Sequence, residues 1–258
     1  SHVAMIRDTE DKETLEGKEL ILHRSDEIGL LGDTVNDMTR SLIDAARISK
    51  NLVVGKDIQT KFIPLQIDKN GNTLTTGSLN AKGADFFSYY AGANELSGDY
   101  FDYKKLDDTH YAVIKCDVSG HGVPAALIMV QVATLFLDNF RDWNVHNPYQ
   151  GMNIAPVVSK INDLLESRGF KDRFAAFTLC ILDTESGDAW FCNAGDNMLH
   201  IYDSETKKKK IVTLQQTPAA GMFNTDFIQM KGGYKVSKIT LKKNDVLFLY
   251  TDGIEESR

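Results

Sequence analysis

The spacing of apolar positions changes once along the chain, and the change divides it. Between Ser25 and Leu52 the apolar residues Ile28, Leu31, Val35, Met38, Leu42, Ala45 and Leu52, with Ser49 completing the series, recur at alternating steps of three and four. That is a heptad pattern on a helix. β-Branched Ile28 and Val35 fill one core position, while Leu31 and Met38 fill the other. This choice favours a parallel two-stranded coil and predicts a homodimer through residues 28–52. An amphipathic helix folded onto its own domain fits the same spacing. The thinner core after Leu42 and the presence of Gly55 predict a pliable lower end.

Beyond Pro64 the helical period gives way to short runs. Lys69-Asn70-Gly71-Asn72 is turn chemistry. Strand-like runs follow at Asp85–Ala91, Tyr111–Cys116, Phe174–Asp183, Ala189–Asn193, Leu199–Tyr202, Ile239–Leu241 and Val246–Tyr250. Two helical segments interrupt them, one starting at Pro124 and one covering Ala155 to about Ser167, each with proline near its head. Strands in series with two helices between them indicate an α+β layer architecture. The organisation read from the sequence is an N-terminal segment at 1–24, a helical linker at 25–64 and a globular domain at 65–258. Ser1 to Ala4, ahead of Met5, reads as a tag remnant.

Composition narrows the classes of function. The chain has 258 residues, 42% of them apolar, and a net charge of −7, which argues against nucleic acid as the main partner. The basic run Lys207–Lys210 reads as a solvated hairpin loop. Three cysteines, Cys116, Cys180 and Cys192, sit inside apolar runs without metal-binding spacing, which reads as buried thiols in a reducing compartment. No unbroken apolar run approaches the roughly eighteen residues that span a bilayer.

The chemistry is concentrated in acidic residues at strand ends. Tyr111-Ala112-Val113-Ile114 runs into Asp117, followed by Gly120-His121-Gly122. Val246–Tyr250 runs into Thr251-Asp252-Gly253, and Ser97-Gly98-Asp99 precedes Tyr100-Phe101. An isolated carboxylate buried at such a place costs several kcal/mol. Three together point to a hard divalent cation held by carboxylates and backbone carbonyls. Gly120 and Gly122 allow a tight turn close to an anion or a metal-bound water. His121 reads as a loop residue. Asp102, Asp107, Asp108 and Asp183 read as turn residues.

The segments ELSGDYFDYKKLDDTHYAVIKCDVSGHGVPAALIM, RFAAFTLCILDTESGDAWFCNAGDN and DVLFLYTDGIEES resemble the stress-response and sporulation branch of the metal-dependent PP2C-type serine/threonine phosphatases. The likeness runs from about Ile58 to Arg258. It implies a two-layer antiparallel β-sandwich flanked by helices, with two Mn²⁺ or Mg²⁺ ions at one edge. Carried over by motif, Asp117 and Asp99 are the catalytic carboxylates. Asp117 would bridge both ions with help from the Val118 carbonyl, Asp99 would hold one ion and Asp252 the other. The resemblance also implies direct attack of water on phosphoserine and a phosphorylated anti-sigma-factor antagonist as substrate, with Gly120, His121 and Gly122 as candidate substrate contacts. SDEIGLLGDTVNDMTRSL is similar to the second helix of a HAMP signal-relay module. This implies a cytoplasmic output domain tethered to the membrane only through an upstream segment.

Three departures from the family pattern are visible. Ser97 stands where glycine is commoner, and Asp196 follows Asn193-Ala194-Gly195 where histidine is usual. The chain ends six residues after Asp252, whereas the family continues to a final metal-binding Asp. The expectation is an incomplete Asp252-side metal site and weak activity. Two other readings stay open. One is a non-catalytic binding domain with this fold. The other is a diguanylate cyclase, echoed by Ser97-Gly98-Asp99-Tyr100-Phe101 but with Tyr100 where that motif has an acid.

Overall fold

The computed structural model describes residues 2–92, 96–170 and 172–256, and it divides into two compact units meeting between Ile58 and Gln59. In the first unit, α1 (His2–Asp8) and a 3₁₀ turn (Lys12–Leu15) lead through an extended stretch into α2 (Glu27–Thr60), whose last two residues belong to the second unit. The extended stretch lies along one stripe of α2. Asn36 bonds both backbone groups of Leu20, accepting from its N–H at 2.8 Å and donating to its carbonyl at 2.9 Å. A side chain at Gly29 would meet the Arg24 carbonyl at 2.0 Å, and one at Gly32 would meet Leu22 at 2.7 Å. Glycine is therefore what lets the strap lie flat. The buried stripe is Gly29, Gly32, Asn36, Thr39 and Ile43. The heptad series occupies other faces, and Leu31 and Met38 are each 63% exposed.

The second unit is built on a five-stranded antiparallel sheet ordered β3-β4-β5-β6-β9. In chain order the strands are β1 (Thr76–Ala81), β2 (Ala84–Tyr89), β3 (Tyr100–Lys105), β4 (His110–Val118), β5 (Ala175–Asp183), β6 (Asp188–Ala194), β7 (Met198–Asp203), β8 (Lys208–Thr213), β9 (Ser237–Thr240) and β10 (Val246–Phe248). The helices are α3 (Gly122–Asn139), α4 (Ala155–Ser167), α5 (Thr225–Met230) and α6 (Gly253–Glu256). Side chains alternate across the large sheet. Ala112, Ile114, Cys116 and Val118 of β4, with Phe177, Leu179 and Ile181 of β5, face Met129, Val132 and Phe136 of α3 and Ile161 and Leu165 of α4. The opposite parity, Val113, Cys180 and Leu182, joins Phe191, Leu199, Val212 and Leu247 in a second cluster that packs the sheet β10-β7-β8 against the large one. The β1–β2 hairpin completes that second layer, with Phe86 against the rings of Tyr103 and Tyr111. Each such apolar side chain fully buried contributes about 1.5–3 kcal/mol. The architecture is a two-layer antiparallel sandwich in an α+β fold.

Several details differ from the sequence reading. Lys208, Lys209 and Lys210 lie within β8, the outer strand of its sheet, and not in a loop. Their exposed charges discourage pairing with another edge. Asp102 is not a turn residue either. It sits in β3, 8% exposed, accepting from the Tyr100 hydroxyl at 3.0 Å and the Tyr103 N–H at 2.7 Å. Burial pushes its proton affinity up. Asp107 and Asp183 do cap turns, accepting from Thr109 N–H and Glu185 N–H. Finally, α3 is long and apolar enough by composition to cross a membrane, with mean hydropathy 1.4 over 18 residues, although no unbroken apolar run marks it. Its buried face, Ala125 to Phe136, instead fills the core against the sheet.

Candidate active site

Parity sets the site. Because Cys116 and Val118 point into the helix-covered core, Lys115 and Asp117 emerge on the opposite face at the end of β4. Across the ladder Asp117 pairs with Ala176 and Lys115 with Thr178. The segment carrying Asp99 is brought alongside by Gly98, whose carbonyl accepts from the Val118 N–H at 3.3 Å. A Cβ on Gly98 would fall 2.5 Å from the Val118 carbonyl oxygen, so only glycine permits this approach. Ser97 steadies the turn, its hydroxyl accepting from the Asp99 N–H at 3.2 Å. Ser97 is itself held by Gln59, 3% exposed, which donates to its carbonyl at 2.5 Å and accepts from its N–H at 3.3 Å. Serine in place of the commoner glycine thus has a bonding role. Asp252 arrives from the end of β10, immediately before α6.

The three carboxylates Asp99, Asp117 and Asp252 sense one another. Burial, reinforced by the charges of Asp99 and Asp252, pushes Asp117 up to about 7, against a smaller opposing effect of Lys115. A hydrogen bond between Asp117 and Asp252 favours the protonated form of Asp117. Burial also raises Asp99, with Asp252 adding to the effect, while hydrogen bonds from Thr251 and Ser97 and the charge of Lys115 oppose it. Among the described residues no three His, Cys, Asp or Glu side chains are grouped closely enough to hold one ion. The carboxylates share a field without converging on one point. An all-oxygen acidic donor set, with protons held against repulsion, fits a hard divalent cation.

Lys115 does not neutralise this cluster, because it is committed elsewhere. Its ammonium lies 2.7 Å from Asp196 Oδ2, with both side chains under one-fifth exposed. Thr178 donates to the same carboxylate oxygen at 2.5 Å. Asp196, the departure from the family's histidine, is therefore the partner of an otherwise unpaired lysine beside Asp117. Sequence reasoning missed this pair; the shared parity of Lys115 and Asp117 was its available signal. Gly120 and Gly122 both take positive φ, +81° and +73°. His121 is exposed at the N-cap position of α3 and makes no side-chain capping bond.

The fold and these acidic strand ends define a class. The second unit's sandwich is that of PP2C phosphatase domains. The SiaA PP2C domain of Pseudomonas aeruginosa superposes with a TM-score of 0.56 at 18% identity, covering 81% of this chain and 74% of that one. The PP2C phosphatase domain of Bacillus subtilis SpoIIE, solved with a fragment of its regulatory domain, superposes with 0.51 at 22% identity, covering 70% and 47%. Residues 107–258 match the model of the Stage II sporulation protein E family, and the chain belongs to that SpoIIE family. Among curated relatives, the phosphoserine phosphatase RsbP of Bacillus subtilis is 29% identical over 188 residues, 71% of this chain and 42% of RsbP. Protein IcfG of Synechocystis is 25% identical over 263 residues, 92% of this chain and 38% of IcfG. The chain thus spans about two-fifths of the length of these relatives. Membership of this family leaves no place for the cyclase reading.

Proposed function

We propose that this chain is a metal-dependent protein phosphatase that removes phosphate from a phosphoserine on a small regulatory protein of the anti-sigma-factor-antagonist type. The observation that carries the proposal is the electrostatic union of Asp99, Asp117 and Asp252, brought from three separate elements to one edge of a PP2C sandwich. The naming of RsbP as a phosphoserine phosphatase supports the substrate class. Asp99, Asp117 and Asp252, with the Val118 carbonyl, would hold two Mn²⁺ or Mg²⁺ ions. Bound there, such ions lower the pKa of water and neutralise charge on the phosphoryl group. The chain's own contribution is to keep the carboxylates close. Asp117 would offer its carboxylate to the cation, and the Lys115–Asp196 pair holds the lysine ammonium on a different carboxylate.

The test is hydrolysis of p-nitrophenyl phosphate and of a phosphoserine peptide with Mn²⁺, beside calorimetric Mn²⁺ binding. Turnover that stops on adding EDTA is the expected result. A folded chain that binds no Mn²⁺ and releases no phosphate would leave the binding-domain reading in its place.

The exposed heptad of α2 supports a second part of the proposal, self-association through residues 28–52. The strap covers a different stripe and leaves Leu31, Met38 and Leu42 open. Sedimentation equilibrium should show a dimer, converted to monomer by the double change Val35→Glu and Met38→Glu. A wild-type monomer at tens of micromolar would sink this part. The similarity of the stalk to a HAMP helix supports a cytoplasmic setting beneath a membrane receptor, and fractionation of cells bearing the native gene checks it. Recovery outside the cytoplasm and inner membrane would count against it.

A further inference from the structure

The loop after Asp117 is tied to a residue that the sequence motifs do not single out. The Ser119 N–H donates to the Phe174 carbonyl, and the Phe174 N–H to Ser119 Oγ, each at 2.9 Å. Arg173 then reaches over the turn, donating from Nη1 to the Ser119 carbonyl at 2.8 Å. Its guanidinium occupies the space a side chain on Gly120 would need. A Cβ there would fall 1.4 Å from Nη1 and 3.3 Å from Nη2. Gly120 therefore serves both the positive φ and the admission of this one group.

A guanidinium carries five N–H donors. Among the described residues the Arg173 guanidinium makes this single hydrogen bond and no ion pair, although the residue is half-buried. Lys115, by contrast, is engaged with Asp196. The position is also fixed relative to the carboxylates. Ala176 stands opposite Asp117 in the β4–β5 ladder, so Gly120 and Arg173 both lie three residues beyond that rung, on the two strands' extensions. At about 3.3 Å per residue this is at most about 10 Å along the strand direction from that rung, beyond the same ends of β4 and β5. A partly buried planar cation with free donors beside an acidic metal edge suits one kind of ligand, an oxyanion bound by a fork of parallel N–H groups.

We infer that Arg173 binds the phosphoryl oxygens of the substrate, held in place by the Ser119 carbonyl and by the missing side chain of Gly120. This rests on the phosphatase reading above and adds to it the residue that receives the phosphate. Arg173 here has a direct binding role, and its removal should affect phosphate recognition ahead of metal binding.

The experiment compares wild type, Arg173→Gln and Arg173→Lys, all checked for folding by thermal melting. Glutamine retains a donor for the Ser119 carbonyl but loses the charge and the fork. In the Mn²⁺-loaded protein, Arg173→Gln should raise both the KM for a phosphoserine peptide and the inhibition constant of orthophosphate by about tenfold or more. Mn²⁺ affinity should stay within about twofold. Arg173→Lys should recover part of the loss, because it restores charge without the fork. Unchanged orthophosphate affinity in Arg173→Gln would overturn the inference, as would a parallel fall in Mn²⁺ affinity, the mark of a loop brace only. Should wild type release no phosphate, the phosphatase reading fails first. Calorimetric binding of orthophosphate then decides separately: binding lost in Arg173→Gln upholds the arginine site, and no binding by wild type removes it.

Discussion

Asp117→Asn is expected to abolish phosphate release while making the metal-free protein more stable at neutral pH. The first effect follows from the role proposed for Asp117 at the reaction centre. Loss of such a charge should cost about 4 kcal/mol of transition-state stabilisation, roughly a thousandfold in rate. The second follows from linkage. The folded chain holds the Asp117 proton up to about pH 7, whereas an unperturbed Asp releases it near 3.8. A carboxyl whose folded value is raised favours the folded state below the unfolded value, and that advantage is lost as pH rises through the folded value. Between about pH 4 and 7 the metal-free wild type should therefore lose stability. Three decades of proton affinity amount to about 4 kcal/mol. Asp117 is only part-buried, and solvent screening reduces the expected loss to about 2 kcal/mol. Urea unfolding in EDTA at pH 4 and pH 8 measures it. The wild-type midpoint should fall between the two while that of Asp117→Asn moves less. Parallel behaviour of both proteins would show that the three carboxylates do not interact as described.

Lys115→Met should destabilise the fold by on the order of 3 kcal/mol, because it strands Asp196 as a largely buried charge whose remaining partner is the Thr178 hydroxyl. The double change Lys115→Met with Asp196→Asn should recover most of that loss, since the uncompensated charge goes with the carboxylate. Denaturant midpoints of the two single variants and the double variant form the test. If the double variant were as unstable as Lys115→Met alone, the cost would come from packing of the lysine stem and not from the ion pair. The pair also explains how Asp196 is accommodated where histidine is usual: the residue is matched to a lysine two positions before Asp117.

The helices of the domain were legible where period and proline agreed. Ala155–Ser167 is α4 to the residue, with Pro156 in its first turn and an apolar face on Val157, Val158, Ile161 and Leu165. The central strands β4 and β5 were legible as apolar runs because both their faces are covered. Of β3 only the aromatic start at Tyr100-Phe101 is legible, and β1 and β8 are not. In β3 the inward Asp102 finds its partner in the Tyr100 hydroxyl, and polar character hides the alternation. In β8 the lysines are an edge strand's exposed charges. The strap's seat on α2 was equally hidden, since Gly29, Gly32, Asn36 and Thr39 offer backbone access and hydrogen bonds in place of apolar surface. The acidic strand ends showed because carboxylates beside glycine at the close of apolar runs are costly without compensation. Lys115–Asp196 and Arg173–Gly120 did not show, since each joins segments distant in sequence that only the pairing of β4, β5 and β6 and the turns beyond them bring together.

One consequence of the β4 parity concerns how this fold can be watched. Cys116 stands between Lys115 and Asp117 but points the other way, fully enclosed, and burial suppresses its thiolate. Cys180 is likewise suppressed by burial, and Cys192 is pushed up to about 12. Thiolates are the species that react with alkylating agents and oxidants. The thiols of the native domain should therefore be silent to both, and a peroxide burst should fall on exposed methionines such as Met198 and Met230 while leaving the three cysteines reduced. The same silence makes the thiols an opening clock. Each labelling event requires the central strands to separate, so the rate at which a thiol reagent consumes Cys116 in the intact chain reads out how often the sheet beneath Asp117 comes apart.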